Sequence, residues 1–382
     1  MASVRKRSWS TASGETKETW IVAYADRSGR HIETFQRKRE ADARRKEIEH
    51  EVGMGTHVAR TDSLTVAEAG EQWIQQVTAG GREASTVRQY RQHLDLHIAP
   101  LVGDVKLVDL MPASVSAFRN ALRDKGCSPA MIKKVVVSLG SILANAMDHG
   151  RVGRNVVAGQ SRSTRKRQQH NEERHRSEIR AGVDFPELAE VKALIDQADG
   201  RFRPFFVTAA FTGMRASELR GLAWDAVDLK SKTIAVQRRA SLWGDLGSPK
   251  SKAARRKIPV PDLVVRELRQ WKLACPIGEL NLVFPNGNGN VESHANLINR
   301  GFDPLQVAAG VVDKYGKPKY GLHALRHFFA SMAIQRYSPK RAQVLLGHAT
   351  FAMTMDTYGH LFDDAAGDQE RAAAIEEAVL RC

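Results

Sequence analysis

The chain has 382 residues, which is too many for one ordinary domain and suits two or three. Lys and Arg number 58 against 43 Asp and Glu, so the formal charge is +15 and the isoelectric point is about 9.9. A positive charge of this size favours a polyanionic partner, and nucleic acid is the first candidate. The three widely spaced cysteines, Cys127, Cys275 and Cys382, exclude a disulfide framework and a zinc knuckle and indicate a reducing compartment.

Neither a membrane location nor secretion is predicted. No apolar run approaches the roughly 20 residues of a spanning helix, and no apolar segment follows the basic N-terminal MASVRKRSWS as a secretory signal would require. The histidines form no HExxH arrangement, so no metal or other cofactor is predicted. We expect a protein that remains in the reducing compartment where it is made.

Residues 1–58 contain two strand-like runs, Trp20–Ala25 and His31–Phe35, around the turn DRSG at 26–29. A charged helical run, Glu40–Glu51, follows. This order predicts a small β-sheet with one helix against it. Twelve Lys and Arg against nine Asp and Glu make the segment only mildly basic, so charge leaves open a solvated capping module or a DNA-binding one.

Residues 62–155 carry helical patterns throughout. Thr65-Val-Ala-Glu68 is a capping-box sequence ahead of an apolar face, and Thr86-Val-Arg-Gln89 is a second such start. Two further apolar faces end at Gly126 and Gly150. The faces consist of Val115, Phe118 and Leu122 in the first helix, and Met131, Val135, Leu139, Ile142 and Ala146 in the second. An all-helical domain of about four helices is predicted.

A basic linker is predicted at 156–182. Residues 160–180 have no aliphatic side chain before Ile179 and hold seven Lys and Arg against three Glu, so they cannot form a core. Such a segment is either a solvated tether or a strand that follows phosphates.

Residues 183–382 have a mostly helical pattern, with strand signals at 233–236 and 257–260 that predict a small sheet or hairpin. The last twenty residues hold six acids, and Ala372, Ile375 and Val379 share one face of a predicted helix at 368–381. This acidic tail suits packing on protein rather than on DNA. The predicted fold is therefore multidomain and mainly α, with a small α+β N-terminal module, an all-helical domain and a mostly helical C-terminal domain with a small antiparallel sheet.

Five short stretches of the C-terminal half carry side chains that phosphoryl transfer needs. In TGMR a glycine precedes Arg215, and a guanidinium can form two parallel hydrogen bonds to a phosphate. The run PKSKAARRK at 249–257 can carry a lysine into a groove. In HALR, His323 and Arg326 are three residues apart and share a helical face. The fourth and fifth stretches are Gly347-His348 and the segment around Tyr358, which both lie within GHATFAMTMDTYGH at 347–360.

Each motif alone is weak, because such residues are usually solvated or structural. The ordered set of Arg, Lys, His-x-x-Arg, Gly-His and Tyr within about 145 residues resembles the tyrosine recombinase family, the phage-integrase type of site-specific DNA recombinase. The resemblance implies that residues 1–58 are an arm-type DNA-binding domain, 62–155 the core-binding domain and 183–382 the catalytic domain with its tail helix.

The resemblance also implies roles for the site residues. Tyr358 attacks the phosphodiester to give a 3′-phosphotyrosine, while Arg215 and Arg326 stabilise the developing charge and His348 donates a hydrogen bond. His323 accepts the tyrosine proton, and Lys250 protonates the departing 5′ oxygen. Lys252 remains an alternative, since it would point the same way from a strand. His360 is interpreted as structural.

The implied partners are double-stranded DNA attachment sites, a homotetramer on synapsed DNA, and possible host DNA-bending and directionality factors, with no membrane. The tail helix is expected to dock on an adjacent subunit, and the alternative is that it folds back on its own domain. Two other functions stay open: a type IB topoisomerase-like enzyme that relaxes DNA, and a catalytically silent DNA-binding regulator.

Overall fold

A computed structural model describes residues 2–11, 16–26, 29–158, 179–362 and 376–377 of the chain. The chain divides into two compact units, 1–175 and 176–382. Most of the predicted linker, and the predicted tail helix apart from Glu376 and Glu377, lie outside the described residues.

The N-terminal module is a three-stranded antiparallel sheet with one helix against it, as predicted. Its sheet order is β1-β2-β3. Its core is formed by Val22 and Tyr24 of the middle strand with Ala41 and Ile48 of the helix. The prediction missed β1, because this strand is polar and its residues are almost all exposed. The elements are β1 Ser3–Ser10, β2 Thr16–Ala25, β3 Arg30–Phe35 and α1 Lys38–Gly53.

The second part of this unit is helical and has its own apolar core. Its capping box is present: the Thr65 backbone N–H donates to Glu68 Oε2 at 2.8 Å, and the Glu68 N–H donates to Thr65 Oγ1 at 3.2 Å. A π-helical turn, Leu94–Ile98, joins α3 to α4. The helices are α2 Val66–Ala79, α3 Ala84–His93, α4 Ala99–Val102, α5 Pro112–Asp124 and α6 Pro129–Asp148.

Two sequence-based expectations for this block are wrong. Thr86 does not begin a helix, because α3 already begins at Ala84, after the extended residue Glu83. The expectation that no apolar run approaches the length of a membrane span is also wrong, because α6 is long and apolar enough to cross a membrane by length and composition. This helix is the central core helix of the block, where Leu139, Ile142 and Leu143 are fully buried.

The C-terminal unit contains a three-stranded antiparallel sheet of order β4-β5-β8 and a separate hairpin, β6-β7. The two predicted strand signals pair directly, with Ile234 opposite Ile258. The prediction of a small sheet at these two runs is therefore confirmed. The strands are β4 Val227–Asp228, β5 Thr233–Val236, β6 Arg239–Ala240, β7 Leu246–Gly247 and β8 Arg256–Pro259.

The helices of this unit surround α8, in which Phe205, Val207 and Ala209 are all buried. A helix that is apolar on every side is expected at the centre of a domain. Its contact with α13 brings two of the sequence motifs to one place. The helices are α7 Leu188–Gln197, α8 Arg203–Thr212, α9 Ala216–Arg220, α10 Asp262–Ala274, α11 His294–Asn296, α12 Asp303–Ala308, α13 Ala324–Arg336, α14 Pro339–Leu346 and α15 Phe351–Tyr358.

Candidate active site

The glycine of TGMR ends α8 and contacts one of the two arginines predicted for the site. Gly213 has φ of 59°, the left-handed conformation that favours glycine. A Cβ at this position would lie 2.3 Å from Cδ1 of Phe329, so a larger residue would not fit without displacing that ring. The Gly213 carbonyl oxygen accepts a hydrogen bond of 2.6 Å from Nη1 of Arg326. The same turn therefore exposes Arg215 and anchors Arg326.

Arg215 is oriented by a buried carboxylate that the sequence analysis missed. Its backbone N–H and its Nη1 each donate to Glu218 at 2.9 Å. Glu218 also accepts from Nη2 of Arg256 at 2.9 Å. Burial opposes ionisation of Glu218, but Arg256 and the Arg215 backbone hold its pKa below the ordinary value, so it is ionised at neutral pH. The signal in the sequence was a Glu three residues after Arg215, in helical register.

The Arg256 guanidinium lies so close to position 347, just before His348, that the residue there must be a glycine. Its side chain is buried and Nε donates to the Leu345 carbonyl oxygen at 2.6 Å. Gly347 ends α14 with φ of 63°, and a Cβ there would lie 2.8 Å from Arg256 Nη1. Gly347 is therefore required both by its conformation and by the guanidinium beside it.

Arg326 is the more buried of the two predicted arginines, with 3% of its surface exposed. Besides its bond to Gly213, Nη2 donates to the Leu346 carbonyl oxygen at 2.6 Å. Burial, together with Arg215 and Arg256, lowers its pKa to about 9, so the group remains a cation at neutral pH.

His348 is buried and lies beside the predicted nucleophile. Its ring is nearly parallel to that of Tyr358, with 6.4 Å between centroids and 10° between planes. Nδ1 is 3.0 Å from Oγ1 of Thr354, one turn before Tyr358 on α15. Burial and the arginines lower its pKa to about 4, so the imidazole is neutral at pH 7.

Tyr358 is the last residue of α15 and is 2% exposed. The pKa of Tyr358 is raised to about 12, because the effect of burial exceeds the opposite effect of the Arg326 and Arg215 charges, which lower it. The hydroxyl is thus protonated at neutral pH and lies within the field of both guanidiniums of its own subunit. The structure brings Arg215, Arg326, His348 and Tyr358 together.

The expected proton acceptor is not the residue in contact with the tyrosine. Nδ1 of His327 lies 2.7 Å from the Tyr358 hydroxyl oxygen. His323 lies at the start of α13, is exposed, and contacts the His327 ring edge-on at 4.9 Å between centroids. Both histidines occur four residues apart on one helix, so the sequence could not show which of them faces α15.

Lys250 and Lys252 are both exposed and lie between β7 and β8. The premise that both project from one strand is wrong, because Lys250 is in a loop and Lys252 begins a 3-10 turn, Lys252–Ala254. The spacing of two residues therefore gives no reason for them to point the same way. His360 Nε2 lies 3.0 Å from the Ile179 carbonyl oxygen, which agrees with a structural role.

Known proteins share both the sequence pattern and the fold. Residues 185–364 match the phage integrase family. The chain is 26% identical to a tyrosine recombinase XerC-like protein of Caldanaerobacter subterraneus subsp. tengcongensis, covering 85% of this chain and 86% of that protein. It is 28% identical to an integrase of Streptomyces ambofaciens, covering 90% of each.

Solved structures show the same fold. The Tn1549 transposon integrase in complex with transposon right-end DNA superposes with a TM-score of 0.65 at 21% identity, covering 81% of this chain and 100% of that one. A lambda integrase tetramer bound to a Holliday junction gives 0.57 at 18% identity, covering 90% of this chain and 95% of that one. With the motifs in order and the arginines around the tyrosine, residues 185–364 form a phage integrase family domain, and the chain is a tyrosine recombinase, an enzyme of the class that cleaves and exchanges DNA strands.

Proposed function

We propose that this recombinase is the integrase of a phage or other mobile element and that Tyr358 is its nucleophile. The observation that carries the proposal is the placement of the Tyr358 hydroxyl within the field of Arg326 and Arg215 in one subunit. Each subunit then has its own nucleophile and its own arginines. Cleavage in cis is the expected consequence.

The chemistry follows from charge. A phosphodiester already carries one negative charge, and attack by the phenol oxygen adds a second on the non-bridging oxygens. Arg215 and Arg326 are fixed by hydrogen bonds before DNA binds, so little reorganisation is needed when that charge develops. His348 is neutral and donates a hydrogen bond to the same oxygens. A 3′-phosphotyrosine forms and the P–O5′ bond breaks.

The departing 5′ oxygen needs a proton, because an alkoxide is a poor leaving group. Lys250 is proposed as the donor because Pro249-Lys250-Ser251 resembles the Pro-Lys-Thr of the family, and Lys252 is the alternative. Both are exposed on the segment that leads into β8, whose first residue is Arg256. A 5′-hydroxyl of the partner duplex then attacks the phosphotyrosine, and the bond is restored without ATP.

The N-terminal module is proposed to bind a second class of DNA site through one face of its sheet. Val22 and Tyr24 face α1, so residues in register with Ile21 and Ala23 lie on the opposite face. The basic residues of that face are all exposed and no described acid lies among them: Arg5, Arg7, Lys17 and Arg30.

The acids of this sheet are directed to the helix side and are paired there. Glu18 forms an ion pair with Lys6 at 2.7 Å, and Glu33 accepts from Arg44 Nε at 3.1 Å. Alternation along the strands therefore separates the charges of a mildly basic segment into one cationic face. A sheet with such a face suits a DNA groove.

The remaining assignments are proposals too. The helical block, 62–155, is the core-binding domain. The working assembly is a tetramer on two duplexes, since the lambda integrase neighbour is a tetramer bound to a Holliday junction. The tail helix at 368–381 docks on an adjacent subunit. The reaction is proposed to take place in the bacterial cytoplasm, on nucleoid DNA, and the bacterial origin of the relatives supports this proposal.

Trapping the covalent complex tests the function. A nicked duplex carrying the core site loses the short fragment after cleavage, so the protein stays attached to DNA. Wild-type protein should form this complex, and Tyr358→Phe should bind the duplex without attaching. Attachment by Tyr358→Phe would refute the nucleophile. Relaxation of supercoiled DNA without recombination of two sites would instead indicate a topoisomerase.

A further inference from the structure

We propose that His327 is the catalytic residue that accepts the proton of Tyr358 when its oxygen attacks phosphorus. This inference rests on the proposed function of Tyr358 as nucleophile. It replaces His323, which the family pattern had indicated.

The contact is direct and shielded. Nδ1 of His327 is 2.7 Å from the Tyr358 hydroxyl, a distance suited to proton transfer. The hydroxyl belongs to a side chain that is 2% exposed, so bulk water has little access to the proton. A protein group must therefore receive it as the oxygen–phosphorus bond forms.

The groups around His327 keep its ring able to accept. Burial and the charge of Arg326 lower the pKa of His327, and their effect exceeds that of Asp184, which raises it. The imidazole is therefore neutral at pH 7. With the hydroxyl donating to Nδ1, the ring proton lies on Nε2. The neighbouring His348 ring stacks on Tyr358 from another side, with its Nδ1 directed to Thr354. The titratable and charged groups that face the pair are His323, Arg326, Asp184, Arg215 and His348, while His360 lies against the Ile179 carbonyl.

The step balances in both directions. As Tyr358 Oη bonds to phosphorus, its proton passes to Nδ1 and His327 becomes an imidazolium. The P–O5′ bond breaks and the 5′ oxygen takes a proton from the lysine. In the reverse step the attacking 5′-hydroxyl returns its proton to that lysine, and the leaving phenolate recovers its own proton from His327.

Single-turnover cleavage of the nicked core-site duplex from about pH 6 to about pH 9 is the test, with His327→Gln as the variant. Glutamine keeps a polar group but cannot carry the proton. We expect a loss of about 100-fold at neutral pH. The remaining rate should rise tenfold per pH unit, because the phenol must first ionise, whereas the wild-type rate should be flat above neutrality.

His323→Gln is the matched comparison, and it should keep the flat profile. The proposal is overturned if His327→Gln loses the same factor at every pH, if it loses nothing, or if His323→Gln alone acquires the rising profile. Unchanged affinity of His327→Gln for the duplex checks that the variant is folded.

A substrate with sulfur at the bridging 5′ position separates this role from that of the general acid. A thiolate leaves without a proton, so it should rescue loss of the lysine and should not rescue His327→Gln. Rescue of His327→Gln would place the residue on the leaving-group side and refute the proposal. Covalent attachment by Tyr358→Phe would instead refute Tyr358 as the nucleophile, and with it the role of His327. Failure of the proposed function is therefore detected by attachment, and failure of the His327 proposal alone is detected by the pH profiles.

Discussion

Glu218 and Arg256 form a buried ion pair next to Arg215, with 2.9 Å between Oε2 and Nη2 and exposed side-chain fractions of 3% and 1%. Glu218 also receives Nη1 of Arg215. The pair therefore has two roles: each charge neutralises the other inside the protein, and Glu218 fixes the position of the Arg215 guanidinium, which is proposed to act on phosphate.

Replacing Glu218 by Gln should lower both the free energy of unfolding and the rate of DNA cleavage. Arg256 would be left as an uncompensated buried cation, which typically costs about 3 kcal/mol. Urea unfolding should show this loss, and cleavage should fall because Arg215 is no longer held. Asp196→Asn is the control, since its ion pair with Lys192 is exposed and should contribute less than about 0.5 kcal/mol. Equal effects of the two variants would show that burial of the pair has no energetic consequence.

Gly347→Ala should destabilise the C-terminal unit and displace Arg256. The left-handed backbone costs an alanine about 1 kcal/mol, and the added Cβ would meet the guanidinium at 2.8 Å. The temperature of thermal unfolding and the rate of DNA cleavage should both decrease. Gly287→Ala, at a position with no neighbour within 4 Å of the new Cβ, should change neither. A fully active, wild-type-stable Gly347→Ala would contradict the close approach.

Stability should fall with acidification because His348 is buried in its neutral form. Its folded pKa is about 4, below the ordinary value of about 6.5, so the unfolded chain binds the proton first as pH falls. Neutral His348 contributes at most about 3 kcal/mol to the free energy of unfolding. This contribution is fully present above pH 6.5 and is lost progressively as the pH falls to about 4. His348→Gln should lose less stability over this window when urea midpoints are compared. An unchanged pH dependence would show that His348 does not titrate in this way.

Arg5→Ala with Arg7→Ala should weaken binding of the full-length protein to arm-type DNA. Each lost phosphate contact should also reduce the slope of log K against log salt by about 1. Lys6→Ala is the control, because it removes one positive charge from the same strand on the opposite face, whereas the double variant removes two. A loss with Lys6→Ala as large as half that of the double variant would indicate a general charge effect rather than a binding face.

Lys250→Ala and Lys252→Ala should differ, because only Lys250 stands in the Pro-Lys-Ser sequence that resembles the Pro-Lys-Thr of the family. We expect the first to slow cleavage by about 100-fold and the second to have a small effect. The bridging sulfur substrate should restore the first variant to near the wild-type rate. Restoration of Lys252→Ala instead would assign the general acid to that residue.

Much of the fold was visible in the sequence. The capping box at Thr65, the glycine stops at Gly126 and Gly150, and the pairing of β5 with β8 all follow from local chemistry. The polar strand β1 was not visible, because its apolar pattern is absent. The choice between His323 and His327 depends on how α13 faces α15, and Glu218 and Arg256 meet across 38 residues. Local patterns do not contain such tertiary information.

Arg326 donates to the carbonyl oxygens of Gly213 and Leu346, which lie at the ends of α8 and α14. The C-terminal end of a helix carries partial rather than full negative charge, so these bonds fix the guanidinium without cancelling it. Arg256, by contrast, is neutralised by a carboxylate. The two buried arginines therefore differ: the charge of Arg256 is balanced inside the protein, whereas the charge of Arg326 is left to attract a polyanion that enters the site.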